Sequence, residues 1–253
     1  MQCYRVLLKV GSYLYPRPSG LVQPLPFGLY AKEGNRTTQN EAAALKLVEQ
    51  YTSLPAPLLV DEYQGSKYPV FIMTEMPGQP LDTVFHRLSY SERKQLSKDL
   101  KDSISQLQYV PNQSSYLFVG SHGGPMYDHR FPSGTPGPFH HISEFNNFLV
   151  HRWVSQETKN KIAAVHARTY RSVFTHADLH PSNILIERGR LSAIVDWESA
   201  GFFPEYWEFT KLMYGAERYP VVVEIIRDAF KEEDYHQEFE AERQLWYDTP
   251  FGI

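Results

Sequence analysis

Residues 174–201 read FTHADLHPSNILIERGRLSAIVDWESAG, and they gather His176, Asp178, Asn183 and Asp196 around two short apolar runs. Two readings compete for this stretch. A polar β-hairpin at a surface accounts for the runs 183–187 and 191–196, turning at Gly189. A phosphoryl-transfer site accounts for the polar residues as well. Transfer to a hydroxyl needs a carboxylate within hydrogen-bond reach of the acceptor, and oxygen ligands for a divalent ion on the phosphates. Asp178 stands five positions before Asn183, and Asp196 ends the second run.

Outward toward the C-terminus, PEYWEFTKLMYG (204–215) predicts a helix started by Pro204 and stopped by Gly215. The segments 220–233 and 235–246 predict a helical tail. On the other side, residues 143–156 predict a helix capped by Ser143, with Phe145, Phe148 and Leu149 inward. Residues 89–110 carry Leu96, Leu100, Ile104 and Leu107 on one helical face. Between these two lies a Gly/Pro-rich loop, 112–141, too long for a plain connector and therefore expected to be functional.

The first third has a different texture. The runs 4–10, 27–33 and 68–76 read as strands, and residues 37–55 switch to a helical period with Thr38 or Asn40 as cap. The sum is α+β: a small β-rich lobe with one helix (residues 1–77), then a larger, mainly helical lobe (residues 78–253), hinged at Pro77–Gly78.

Composition narrows the function classes. The 253 residues carry 25 Lys and Arg against 29 Asp and Glu, a formal net charge of -4. That balance argues against nucleic-acid binding by phosphate neutralisation. An anionic ligand would need a local cation or a metal ion. The one cysteine, Cys3, excludes an intrachain disulfide and a cysteine-based zinc site. No run approaches the roughly 18 apolar residues of a membrane helix, and the first 16 residues, broken by Lys9, make no convincing signal peptide. The expectation is a soluble, cytoplasmic protein that binds neither nucleic acid nor membrane.

The spacing from His176 through Asp178 to Asn183 matches the kinase catalytic-loop pattern H-x-D-x-x-x-x-N. HADLHPSNILI (176–186) followed by AIVDWESAG (193–201) resembles the aminoglycoside phosphotransferase and choline kinase family, with a bilobal protein-kinase-like fold. LPFGLYAK (25–32), NEAAALKLVEQYTSLPAP (40–57) and GFFPEYWE (201–208) look especially like fungal members. The resemblance implies an enzyme that transfers the γ-phosphate of ATP, with Mg²⁺, to a hydroxyl of a small molecule. It implies Asp178 as catalytic base and Asn183 and Asp196 as Mg²⁺ ligands. It implies Lys32 on the ATP phosphates, paired with Glu41, and the segment around Glu75 and Met76 against adenine. Lys9 is a rival to Lys32, but only Lys32 has a helix with a Glu shortly downstream.

This chain departs from the protein-kinase pattern in three places. No G-x-G-x-x-G precedes Lys32; Ala177 stands where the H-R-D motif has Arg; and only seven residues separate Asp196 from Pro204. The last two make a phosphorylation switch and a protein substrate unlooked-for. Two other functions share these residues: a pseudokinase acting as a nucleotide-binding or interaction module, and nucleotidyl transfer, which releases pyrophosphate rather than ADP. His122, His129, His140 and His141 lack the paired spacing of a zinc site. Tyr127 and Asp128, in the same loop, are expected to face the acceptor. Trp197 and Trp207 are expected in the core, and His176 is expected to be a buried structural residue.

Overall fold

The computed structural model describes residues 2–16, 21–34, 38–65, 68–131, 134–150 and 154–248. It begins with a helix, α1 (Gln2–Leu14), where residues 4–10 predict a strand. A short apolar run is compatible with either period, and packing decides here. Leu8 meets the small cluster of Leu25, Ala31, Val70 and Ile72. One turn on, Gly11 lies so close to the next strand that a Cβ there would stand 2.5 Å from the Pro24 carbonyl. Lys9 is on the exposed side of this helix.

Strands β1 (Val22–Leu25), β2 (Leu29–Glu33), β3 (Leu59–Gln64) and β4 (Pro69–Thr74) form one antiparallel sheet in the order β1-β2-β4-β3. Helix α2 (Thr38–Tyr51) connects β2 to β3 and buries Glu41, Ala44, Leu45 and Val48, a stripe at helical spacing. After Gly78 come β5 (Gln79–Pro80), the short α3 (Leu81–Val84) and α4 (Tyr90–Leu107). Ser89 caps α4, and Glu92 returns to the Ser89 amide in a capping box. Leu96, Leu100, Ile104 and Leu107 are all buried, as their spacing predicts.

The long loop contains β6 (Val119–Gly120) and is packed rather than loose, with Phe118 and Met126 fully buried. Then follow α5 (Ile142–Leu149), α6 (Gln156–His166), β7 (Ser172–Thr175), β8 (Ile184–Glu187), β9 (Arg190–Ile194), β10 (Gly201–Pro204), α7 (Trp207–Ala216), α8 (Pro220–Ala229) and α9 (His236–Asp248). The predicted hairpin at Gly189 is present, with Arg188 and Gly189 both in the left-handed region as a tight turn requires. It pairs with β5, and a third sheet runs β6-β10-β7.

Three boundaries differ from expectation. His141, not Ser143, is the N-cap of α5. Pro204 ends β10 by pairing with Ser172 and does not open α7. Gly215 does not stop α7 but lies inside it, where a Cβ would meet His180 Cδ2 at 2.7 Å.

One apolar cluster joins α2, α4, the β8–β9 hairpin, α7 and α8, with Trp197 fully buried in it. A second, largely aromatic cluster holds Phe118, Phe131, Phe145, Phe203 and Trp207 under the long loop. Together they fix the turns that carry the polar residues.

Candidate functional site

The polar residues form two charged nodes. In the first, β2 turns Lys32 inward, and α2 supplies Glu41 from its first turn. Lys32 Nζ lies 2.6 Å from Glu41 Oε2, 2.7 Å from Asp196 Oδ1 and 3.2 Å from Glu198 Oε2. Asp196 follows β9 in the left-handed conformation, at φ 67°, which turns its side chain out of strand alternation. Asn40 is fully buried and clamps this turn to α2. Its Nδ2 donates to the carbonyls of Glu198, at 2.9 Å, and Ala200, at 2.8 Å.

The electrostatics follow from one ammonium among three carboxylates. Burial pushes the Lys32 pKa down, but Glu41, Asp196 and Glu198 outweigh it and hold the pKa above its ordinary value. Burial pushes Glu41 up to about 7, against the opposing pull of Lys32. Glu41, Asp196 and Glu198 present oxygens within 4.8 Å of one another. These are hard oxygen ligands of the kind a divalent cation takes, but Lys32 Nζ already bonds one oxygen of each.

The second node is built on the loop after β7. His176 is fully buried. Its Nε2 donates to the Val195 carbonyl at 3.0 Å, and its Nδ1 accepts from the Asp178 amide at 3.3 Å. The ring therefore bolts the 176–178 loop to the end of β9, and burial lowers its pKa. The His176 amide donates to Glu208 Oε2 at 2.7 Å. Asn183 Nδ2 donates to the Asp178 carbonyl at 2.8 Å, and Asn183 Oδ1 has a long contact from Ser182 Oγ at 3.4 Å. The sequence-predicted Asp178, Asn183 and Asp196 are thus brought to one side of the molecule with Lys32 and Glu41.

Asp178 Oδ1 accepts from Lys211 Nζ at 2.8 Å, and Lys211 is buried on α7. Lys211 also lies 4.0 Å from Asp128 Oδ1. Asp128 does not face an acceptor, contrary to expectation. Its side chain is fully buried, paired with Arg130 at 2.8 Å and bonded by Trp207 Nε1 at 2.8 Å. Arg130 stacks 4.0 Å over the Trp207 ring and donates to Thr210 Oγ1 at 2.9 Å. Burial pushes the Asp128 pKa up, but Arg130 and Lys211 more than reverse this and hold it at about 2. One face of α7 therefore anchors both the Asp178 loop and the long loop, through Trp207, Glu208, Thr210 and Lys211.

Glu75 is exposed at the end of β4, and its amide is already committed to the Gly28 carbonyl at 2.8 Å. Any adenine contact there falls to its carbonyl or to Met76. Sequence reasoning did not single out Asn40, Glu198, Glu208 or Lys211 as site residues. The available signal was the pair Glu208 and Lys211, charged residues one turn apart in an otherwise apolar helix. Among the described residues, no helix is long and apolar enough to cross a membrane.

Comparison with known proteins bears on this geometry. A search of the curated proteins returns no match. Among solved structures, a thermostable mutant of aminoglycoside phosphotransferase APH(4)-Ia, in ternary complex with ADP and hygromycin B, superposes with TM-score 0.65. Its identity is 12%, and the match covers 97% of this chain and 88% of that one. The gentamicin complex of APH(2″)-IIa gives TM-score 0.60 at 16% identity, over 96% and 84% of the two chains. The streptomycin–ATP–APH(2″)-IIa ternary complex gives TM-score 0.60 at 15% identity, over 96% and 85%. At these identities the likeness establishes the kinase-like α+β fold. The model of the phosphotransferase enzyme family (APH) matches residues 30–243, from the strand that carries Lys32 to the last helix. The chain belongs to the phosphotransferase enzyme family.

Proposed function

We propose that the protein transfers the γ-phosphate of ATP, with a divalent metal ion such as Mg²⁺, to a hydroxyl of a small molecule. Residues 1–77 would hold the nucleotide, and residues 78–253 the base and the acceptor. The observation that carries the reading is the Lys32 node. A buried ammonium is held by Glu41 and lies 2.7 Å from Asp196. Across from it stands Asp178, whose backbone is held by the side chain of Asn183.

Asn183 Oδ1, Asp196 and Glu198 would supply hard oxygen ligands for a divalent ion. Asp196 is 42% exposed at its side chain, so a ligand can reach it. Such an ion would offset the charge of the phosphates. Lys32 would exchange Asp196 and Glu198 for phosphate oxygens while Glu41 keeps its ammonium in place. The carbonyl of Glu75 and the backbone of Met76 would meet adenine. Asp178 would orient the acceptor hydroxyl and take its proton as the acceptor oxygen bonds to phosphorus. The bond from phosphorus to the bridging oxygen breaks, and its electron pair leaves with ADP.

The experiment is a thermal shift of wild type and Asp196→Ala with ATP, with and without Mg²⁺. A ligand at about a hundred times its dissociation constant adds about 2.7 kcal/mol, which for this length raises Tm by roughly 5–10 °C. The expected result is a metal-dependent shift in wild type that Asp196→Ala loses, followed by ADP release with an alcohol acceptor. No shift with Mg²⁺ or Mn²⁺ contradicts the reading and favours the interaction-module alternative. Release of pyrophosphate favours nucleotidyl transfer.

A further inference from the structure

The two oxygens of Asp178 have different surroundings. Oδ1 is occupied by Lys211 at 2.8 Å. Among the described residues, Oδ2 has only a long contact from Asn183 Nδ2, at 3.4 Å, and faces His129 Nε2 across 4.0 Å. That gap is too wide for a hydrogen bond. It is the width that one oxygen atom fills when it stands about 2.8 Å from each side, with an angle of roughly 90–100° at that oxygen.

We infer that the acceptor hydroxyl binds in this gap, donating its proton to Asp178 Oδ2 while its lone pair accepts from His129 Nε2–H. The inference rests on the proposed role of Asp178 as base and adds a second residue that touches the acceptor. His129 is 68% exposed at its side chain, as a group that meets an incoming molecule must be. Its backbone is nevertheless fixed. The residues on either side, Asp128 and Arg130, are both buried and bonded to each other, and they are tied to Trp207 and Thr210 on α7. An exposed imidazole between two buried anchors is positioned without being covered. Lys211 joins the same helix to Asp178, so the two sides of the gap share one rigid support.

The arrangement also selects the chemistry of the acceptor. A hydroxyl oxygen donates and accepts at once, which both sides of the gap require. An ammonium has no lone pair for the His129 N–H. The group in the gap is therefore an alcohol, and any amine on the acceptor lies elsewhere.

The test is a high-resolution crystal structure of the protein with Mg²⁺ and the non-hydrolysable analogue AMP-PNP, for wild type, His129→Ala and His129→Gln. The probe is the solvent oxygen that stands in for the acceptor hydroxyl. The expected result is an ordered oxygen within hydrogen-bond distance of both Asp178 Oδ2 and residue 129 in wild type. It should persist in His129→Gln, which keeps an N–H, and be lost in His129→Ala with the nucleotide still bound. A gap without that oxygen, an oxygen retained in His129→Ala, or His129 bonded to the γ-phosphate would overturn the inference and leave the nucleotide site standing. Crystals without nucleotide would overturn the proposed function itself, and this inference with it.

Discussion

The Lys32 node and the Lys211 node are built from the same parts and reach different charge balances. Around Lys32, one ammonium meets Glu41, Asp196 and Glu198. Around Lys211, two cations, Lys211 and Arg130, meet two carboxylates, Asp178 and Asp128. The first is negative in excess even if Glu41 takes up a proton; the second is balanced while Glu208 and Glu242, which also face Arg130 and are raised to about 7 by burial, hold their protons. Excess negative charge beside an exposed carboxylate draws a divalent ion, and a balanced, buried knot does not. The comparison separates two tasks: in the proposed reaction one node would serve the phosphates, and the other would hold Asp178 in place.

The sharpest way to break this contrast is to remove a carboxylate from each side. Asp196→Ala should lower turnover at least about a hundredfold and change Tm little, because the group is partly exposed. Steady-state ADP release and a melting curve check both halves. Asp128→Asn should act first on stability. It leaves Arg130 buried without its partner, a loss of about 3–5 kcal/mol, read as a drop of roughly 10 °C in Tm. A variant Asp128→Asn with wild-type stability would show that the knot is not what holds the long loop.

The next effect is one of pH. Burial raises Glu242, beside Arg130 and Asp128, from 4.5 to about 7. A carboxylate raised in the folded state binds its proton more readily there than in the unfolded chain. Its contribution is full below pH 4.5 and is lost as pH rises through about 7. Glu242→Gln should therefore flatten the fall in stability between pH 5 and pH 8, by on the order of 2 kcal/mol. Denaturant melts at the two pH values measure it, and an unchanged slope would contradict the assignment.

Much of this was legible before the structure. The helix face of Leu96, Leu100, Ile104 and Leu107 and the turn at Gly189 follow from local spacing, and the set Lys32, Glu41, Asp178, Asn183 and Asp196 follows from the family resemblance. What was not legible depended on distant partners. Residues 4–10 carry a run that suits strand or helix, and the close approach of Gly11 to Pro24 belongs to the helix. Asp128 reads as a loop carboxylate until Arg130, Trp207 and Lys211 are placed around it. Glu208 and Lys211 stand out as charged residues one turn apart in an apolar helix, but their partners on the 176–178 loop lie on another element.

Gly215 gives the smallest effect. Gly215→Ala would place a Cβ 2.7 Å from His180 Cδ2 and 3.3 Å from Pro181 Cδ. The expected cost is about 1–3 kcal/mol of overpacking, partly offset by about 1 kcal/mol of helix propensity. Because His180 and Pro181 belong to the Asp178–Asn183 loop, turnover should fall by more than the loss of stability alone explains.

The central claim is that the negative excess at Asp196 holds the divalent ion. It is tested most directly by titrating Mn²⁺ and ADP with protein and following the loss of the free-ion electron paramagnetic resonance signal. The account predicts Mn²⁺ uptake by wild type, retained in His129→Ala and lost in Asp196→Ala. Equal uptake by wild type and Asp196→Ala would contradict it.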